Sequence, residues 1–98
     1  MAQSFRDAMP GVTVRRGDQS HGGHLAPDVD VGNLFWVECK VGARLRPLAA
    51  LDQAIADLGE RERVPMAVCR RDRAEGIVVM RFADVLDFVG EWWELHRA

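Results

Sequence analysis

Pro27-Asp28-Val29-Asp30-Val31-Gly32-Asn33-Leu34-Phe35-Trp36-Val37-Glu38-Cys39-Lys40 is the stretch around which the rest of the chain can be organised. It reads as two β-strands. Asp28 to Val31 alternates acid and valine, Gly32-Asn33 supplies a tight turn, and Leu34 to Lys40 is rich in aromatic and branched residues. Successive side chains of a strand point to opposite faces, so Trp36, Glu38 and Lys40 share one face and Phe35, Val37 and Cys39 the other. A hairpin then brings Asp28 to the edge that carries Glu38 and Lys40. Two acids and a lysine gathered at one place are what a metal-dependent phosphodiesterase needs. The plain alternative is a turn aspartate beside an exposed same-face ion pair, worth roughly 0.2–1 kcal/mol. Against it stands the apolar bulk on both faces of the strand, next to which unpartnered charges would cost several kcal/mol.

Outward from the hairpin the segments alternate in type. Ala2 to Met9 reads as a short helix stopped by Pro10-Gly11, and Val12-Thr13-Val14 leads into Arg15-Arg16 as a first strand. Gly17 to Ala26 holds three glycines and two histidines without periodicity, the signature of a loop. His21 and His24 with Asp18 are a partial zinc set that no cysteine or third histidine completes. The other reading lays the loop over the site, with His24 or His21 in reach of a phosphate or the attacking water. From Pro47 to Leu58 the apolar residues Leu48, Leu51, Ile55 and Leu58 step by three, four and three along one helical face, and Gly59 ends the helix. Arg46, Ala50, Gln53 and Asp57 form a second stripe, where small Ala50 leaves room for a ligand; from composition alone Gln53 is a solvent-facing residue. Pro65 to Cys69 reads as a buried strand, Arg70 to Glu75 as a charged turn, and Gly76 to Met80 as a neighbouring strand. Phe82 to Arg97 reads as an amphipathic helix despite Gly90, with a stripe expected to pack mostly on its own sheet. Trp92 and Trp93 are adjacent, so one of them faces outward and offers a second copy an apolar surface. The expected fold class is α/β (α+β): one domain over residues 1–98, with a central mixed β-sheet of about five strands flanked by helices in the order α-β-β-β-α-β-β-α.

Pro27-Asp28 followed by Glu38-x-Lys40 resembles the PD-(D/E)XK nuclease motif, and the order of elements around it resembles the small Holliday-junction resolvases and their virus-type VRR-NUC relatives. The likeness covers most of the chain. It implies a restriction-endonuclease-like core and a magnesium-dependent endonuclease acting on branched or duplex DNA, as in recombination and repair, with manganese as a substitute cation. In that reading Asp28, Glu38 and the backbone carbonyl of Cys39 hold the metal, and Lys40 orients the attacking water or steadies the pentavalent phosphorus. Gln53 falls where VRR-NUC-like members often carry a glutamine and would hold water or phosphate. Arg15, Arg16, His24, Arg44 and Arg46 are candidates for DNA contact. A homodimer, using an apolar surface that includes the last helix, fits the cutting of two symmetric strands. One departure stands out: many members carry a further acid on the first helix, and the ungapped count lands near Ser4. Either Asp7 takes that role, or Asp30 or a partner subunit contributes, or one metal alone binds well. A catalytically weak or inactive module that binds DNA or protein through the same fold is the rival reading.

Composition bounds these expectations. With 98 residues, of which 48% are hydrophobic, the chain has room for one modest core. No apolar run approaches the roughly 18–20 residues of a membrane span, and the first residues lack the apolar core of a signal peptide, which points to the cytoplasm. Nothing in the sequence suggests an organic cofactor. Cys39 and Cys69 each sit in an apolar run and read as thiols rather than a disulfide or metal pair. The net charge of −2 argues mildly against nucleic acid, but it is unevenly spread. Residues 1–39 hold three Lys/Arg against five Asp/Glu, residues 40–73 eight against five, and residues 74–98 two against five. The basic excess therefore follows the motif directly, and acids that neutralise a metal there would no longer repel phosphate.

Overall fold

The computed structural model describes residues 2–16, 29–32 and 34–97. Within them run α1 (Ala2–Ala8), β1 (Val14–Arg16), β2 (Val29–Val31), β3 (Phe35–Val41), α2 (Pro47–Leu58), β4 (Val64–Arg70), β5 (Ile77–Met80) and α3 (Phe82–His96). These described strands form one sheet in the order β1-β2-β3-β4-β5, and the class is α+β with a mixed sheet. β1, β2 and β3 pair antiparallel, β3 and β4 pair parallel, and β4 and β5 pair antiparallel. Parallel neighbours need a crossover, and α2 is that crossover.

Local sequence explains the boundaries. The β2–β3 turn depends on Gly32, whose φ of +58° is unfavourable for any residue with a Cβ. Its N–H donates to the Thr13 carbonyl at 2.6 Å, and the Leu34 N–H donates to Val31 at 2.9 Å, which fixes the register Val29↔Val37 and Val31↔Phe35. Pro47 sits in the first turn of α2, where its missing N–H costs nothing. Gly59 closes the helix at φ +62°, its N–H donating to Ile55 at 3.2 Å.

Alternation in the strands builds a core on each side of the sheet. On one side Val14, Val29, Val31, Val37, Met66 and Val68 pack with Phe5 and Met9 from α1 and its end. On the other, Ala50 and Leu51 of α2 meet Ala67 and Cys69, while Trp36 lies against Ala54 and Leu58. Trp36 is 1% exposed, and its Nε1 has no hydrogen-bond partner. The Arg61 and Arg63 guanidinium carbons stand 5.0 and 5.7 Å from the centre of its ring, within cation–π range.

Two expectations need correction. Leucine periodicity placed Leu48 on the buried face of α2, yet Leu48 is 74% exposed and the face that packs is Ala50, Leu51, Ala54 and Leu58. That face sets Ala50 and Leu51 against Ala67 and Cys69, and Ala54 and Leu58 against Trp36, which leaves Leu48 outside the contact. The apolar stripe of α3 was expected to pack on its own sheet, but no residue of α3 is buried. The helix is held by Phe88, whose ring lies 5.6 Å from that of Phe35, and its first turn by an Arg81–Asp84 pair at 2.8 Å. No described helix is long and apolar enough to cross a membrane.

Candidate functional site

The carboxyl ends of parallel strands, beside the start of the following helix, are a common place for ligands because the strand order leaves a crevice there. Here the end of β3, the turn over residues 42–46 and the start of α2 enclose a cleft of about 220 Å³. Lys40, Val41, Arg44, Leu45, Arg46, Ala49, Ala50 and Gln53 line it. Each arrives for a local reason. Lys40 follows Trp36 on the α2 side by strand alternation, Arg44 and Arg46 come from the turn, and Ala50 and Gln53 lie one turn apart on the helix. Ala50 is buried and carries nothing beyond Cβ, which leaves the gap between Lys40 and Gln53.

The electrostatics of this cleft favour an anion. Three cationic side chains line it, and among the described residues no acid does. The first turn of α2 contains no acidic residue, and no side chain caps it, so the positive end of the helix dipole is not offset locally. Arg44 and Arg46 are exposed, Lys40 is half-buried and Gln53 is exposed, so the groups remain accessible.

Glu38 lies two residues before Lys40 on the same face of β3, registered with Ala67 of β4. It is 3% exposed, the one charged residue among the buried described side chains, and it is not without a partner. A carboxylate held at that depth needs specific compensation, since the bare charge would cost several kcal/mol. Cys39 points to the opposite face, into the α1-side core.

The structure thus gathers Lys40, Gln53, Arg44 and Arg46 around one cleft, with Glu38 on the adjoining strand. Asp28 and His24, with His21 and Asp18, lie outside the described residues. Arg15 and Arg16 belong to β1, in register with Asp30 and Val29, and their side chains and that of Asp30 also lie outside what is described. Asp7, the first-helix candidate, is exposed and accepts a hydrogen bond from Gln3 Nε2 at 2.7 Å. Its helix packs on the sheet face opposite Glu38. Asp57, on the same sequence stripe as Gln53, does not reach the cleft. Among the described residues no three His, Cys, Asp or Glu side chains cluster. Sequence reasoning missed Leu45 and Ala49, whose contribution is shape rather than charge and leaves no local signature. No family model, curated protein or solved structure matches the chain.

Proposed function

We propose that the protein is a metal-dependent DNA endonuclease of the PD-(D/E)XK type, most similar in plan to the small junction-resolving and VRR-NUC enzymes. The observation that carries this reading is the convergence of Lys40, Arg44, Arg46 and Gln53 on one anion-suited cleft beside buried Glu38. The described register supports it further. Val29, the residue after Asp28, stands opposite Val37, the residue before Glu38.

Magnesium suits the donors by their chemistry: the carboxylates of Asp28 and Glu38 and the backbone carbonyl of Cys39 are hard oxygen ligands, and Glu38 offers its oxygens from a site shielded from bulk water. A bound divalent ion supplies activation of water and neutralisation of charge at the phosphoryl group. The chain's own groups do the rest. Lys40 carries its ammonium to the water or to the phosphoryl oxygens, Gln53 holds water or phosphate from the helix side, and Arg44 and Arg46 grip backbone phosphates. Arg15, Arg16 and His24 would extend that grip. Assembly as a homodimer would present two such sites to two strands.

The test is cleavage of four-way, flap, single-stranded and linear DNA with and without magnesium. Asp28→Asn, Glu38→Gln and Lys40→Ala are each expected to abolish magnesium-dependent cutting of branched or duplex substrates. Cutting that survives all three substitutions would remove the nuclease reading. DNA binding that is equally tight in chelator, with no cutting of any substrate, would instead favour the catalytically inactive binding module.

A further inference from the structure

Two apolar surfaces of this chain lie open, and each has what the other lacks. The first is on α3, where Phe82, Leu86, Val89 and Trp93 follow one another at steps of four, three and four, and stand 75%, 52%, 54% and 58% exposed. At 100° per residue these four form a single stripe, while Phe88, which touches Phe35, lies roughly 130° around the helix. The helix is therefore tethered by another side and its stripe points away. The second surface is the face of the sheet opposite α2. There α1 packs toward β1 and leaves a groove of about 520 Å³ walled by Phe5, Ala8, Cys39, Val41, Val68 and Val78. Val41 and Val78 are 55% and 54% exposed.

We propose that these surfaces cover one another between copies: in a two-fold dimer, α3 of each chain lies in the α1–β5 groove of the other. A chain's own helix does not serve. Phe88 is held at Phe35, the first residue of β3, whereas the groove opens at Val41, the last, about 20 Å along the strand. Net charge favours the groove over a second α3: residues 82–96 carry Asp84, Asp87, Glu91 and Glu94, on the faces turned away from the stripe, and no lysine or arginine, so two such helices repel at long range rather than through their contact. The groove instead has Arg70 in its wall and exposed Arg71 and Arg73 in the adjoining β4–β5 turn.

Area is also sufficient. If an aromatic side chain presents about 150–250 Å², the exposed parts of Phe82 and Trp93 offer on the order of 300 Å², and the exposed halves of Leu86 and Val89 on the same stripe bring this to on the order of 400 Å² per helix. Two reciprocal helix-in-groove contacts, each covering both partners, then reach the roughly 1,200–2,000 Å² of stable pairs. The exchange goes beyond the nuclease reading and holds whether or not the cleft cuts DNA.

Sedimentation of the full chain across the micromolar range tests it, together with a disulfide map. The wild-type chain is expected to sediment as a dimer. Trp93→Glu on the helix and Val78→Glu in the groove are each expected to weaken it at least about thirtyfold, the loss of one strong hot spot. Both positions are more than half exposed, and unchanged far-ultraviolet circular dichroism checks that the fold persists. Val89→Cys keeps the stripe largely apolar and covers the case in which a charged variant unfolds. Under mild oxidant, the covalent dimer of that variant should yield a peptide joining position 89 to Cys39 of the other copy. A wild-type chain that stays monomeric, or an 89-to-89 linkage that reports helix-on-helix pairing, would overturn the proposal.

Discussion

Removing the three cationic side chains of the cleft should change not only how tightly DNA binds but how steeply binding depends on salt. Each phosphate neutralised by a lysine or arginine releases condensed counterion, giving a slope of about −0.9 per contact in log K against log salt on duplex DNA. Lys40, Arg44 and Arg46 line the cleft together, so their joint contribution is a slope of about −2.7. Between about 50 and 200 mM salt that slope corresponds to a loss of roughly 40-fold in affinity that the triple variant Lys40→Met, Arg44→Ala, Arg46→Ala should no longer show. Other contacts add equally to both proteins and leave the difference intact. The assay is fluorescence anisotropy of a labelled duplex in chelator, which separates binding from cutting, repeated over a salt series. Arg44 and Arg46 are exposed and Lys40 half-buried, so the fold should tolerate the change, and a urea titration checks it. A triple variant whose slope equals that of the wild-type chain would refute the argument that this cleft meets the phosphate backbone.

Other expectations follow from single positions. Gly32→Ala places a Cβ at φ +58° and 2.8 Å from Val12 Cγ2, so urea unfolding should show a loss of about 1–2 kcal/mol or somewhat more. Trp36→Ala should cost about 3–5 kcal/mol. Trp36→Phe should cost clearly less, because the indole N–H it removes already has no acceptor; equal losses in the same titration would contradict that account. Gln53→Ala should lower the rate of single-turnover cleavage while leaving the urea midpoint within experimental scatter, since the side chain is exposed and lines the cleft rather than a core.

Chemical punctuation made much of the chain legible. The bounds of α2 followed from a proline, tolerated where a helix starts, and a glycine, which takes the positive φ where it stops; both stand where they were read. The β2–β3 turn was legible in Gly32 for the same reason. Burial was less legible, because periodicity says that a helix has an apolar face without saying what will cover it. Leu48 looked like a core leucine, but α2 is rotated so that Ala50, Leu51, Ala54 and Leu58 meet the sheet instead. α3 kept its stripe, and among the described residues none of its side chains is buried. The cleft was partly legible, in that Lys40 and Gln53 are linked by a strand and helix of ordinary geometry. Arg46 was legible from its place on the stripe with Ala50 and Gln53, whereas Arg44 reaches the cleft through the path of the 42–46 turn, which no local pattern fixes.

The three indoles of this tyrosine-free chain divide unevenly between interior and surface. Trp36 is sealed beneath α2 with two guanidinium groups beside it, whereas Trp92 and Trp93 are each 58% exposed, and Trp92 stacks on His96 with ring centres 4.0 Å apart. Intrinsic emission should accordingly resolve into a blue component that acrylamide scarcely quenches and a red component that it quenches readily. Changes in the first would track the packing behind the cleft, and changes in the second whatever settles on the last helix, so one spectrum of unlabelled protein distinguishes events at opposite sides of the sheet.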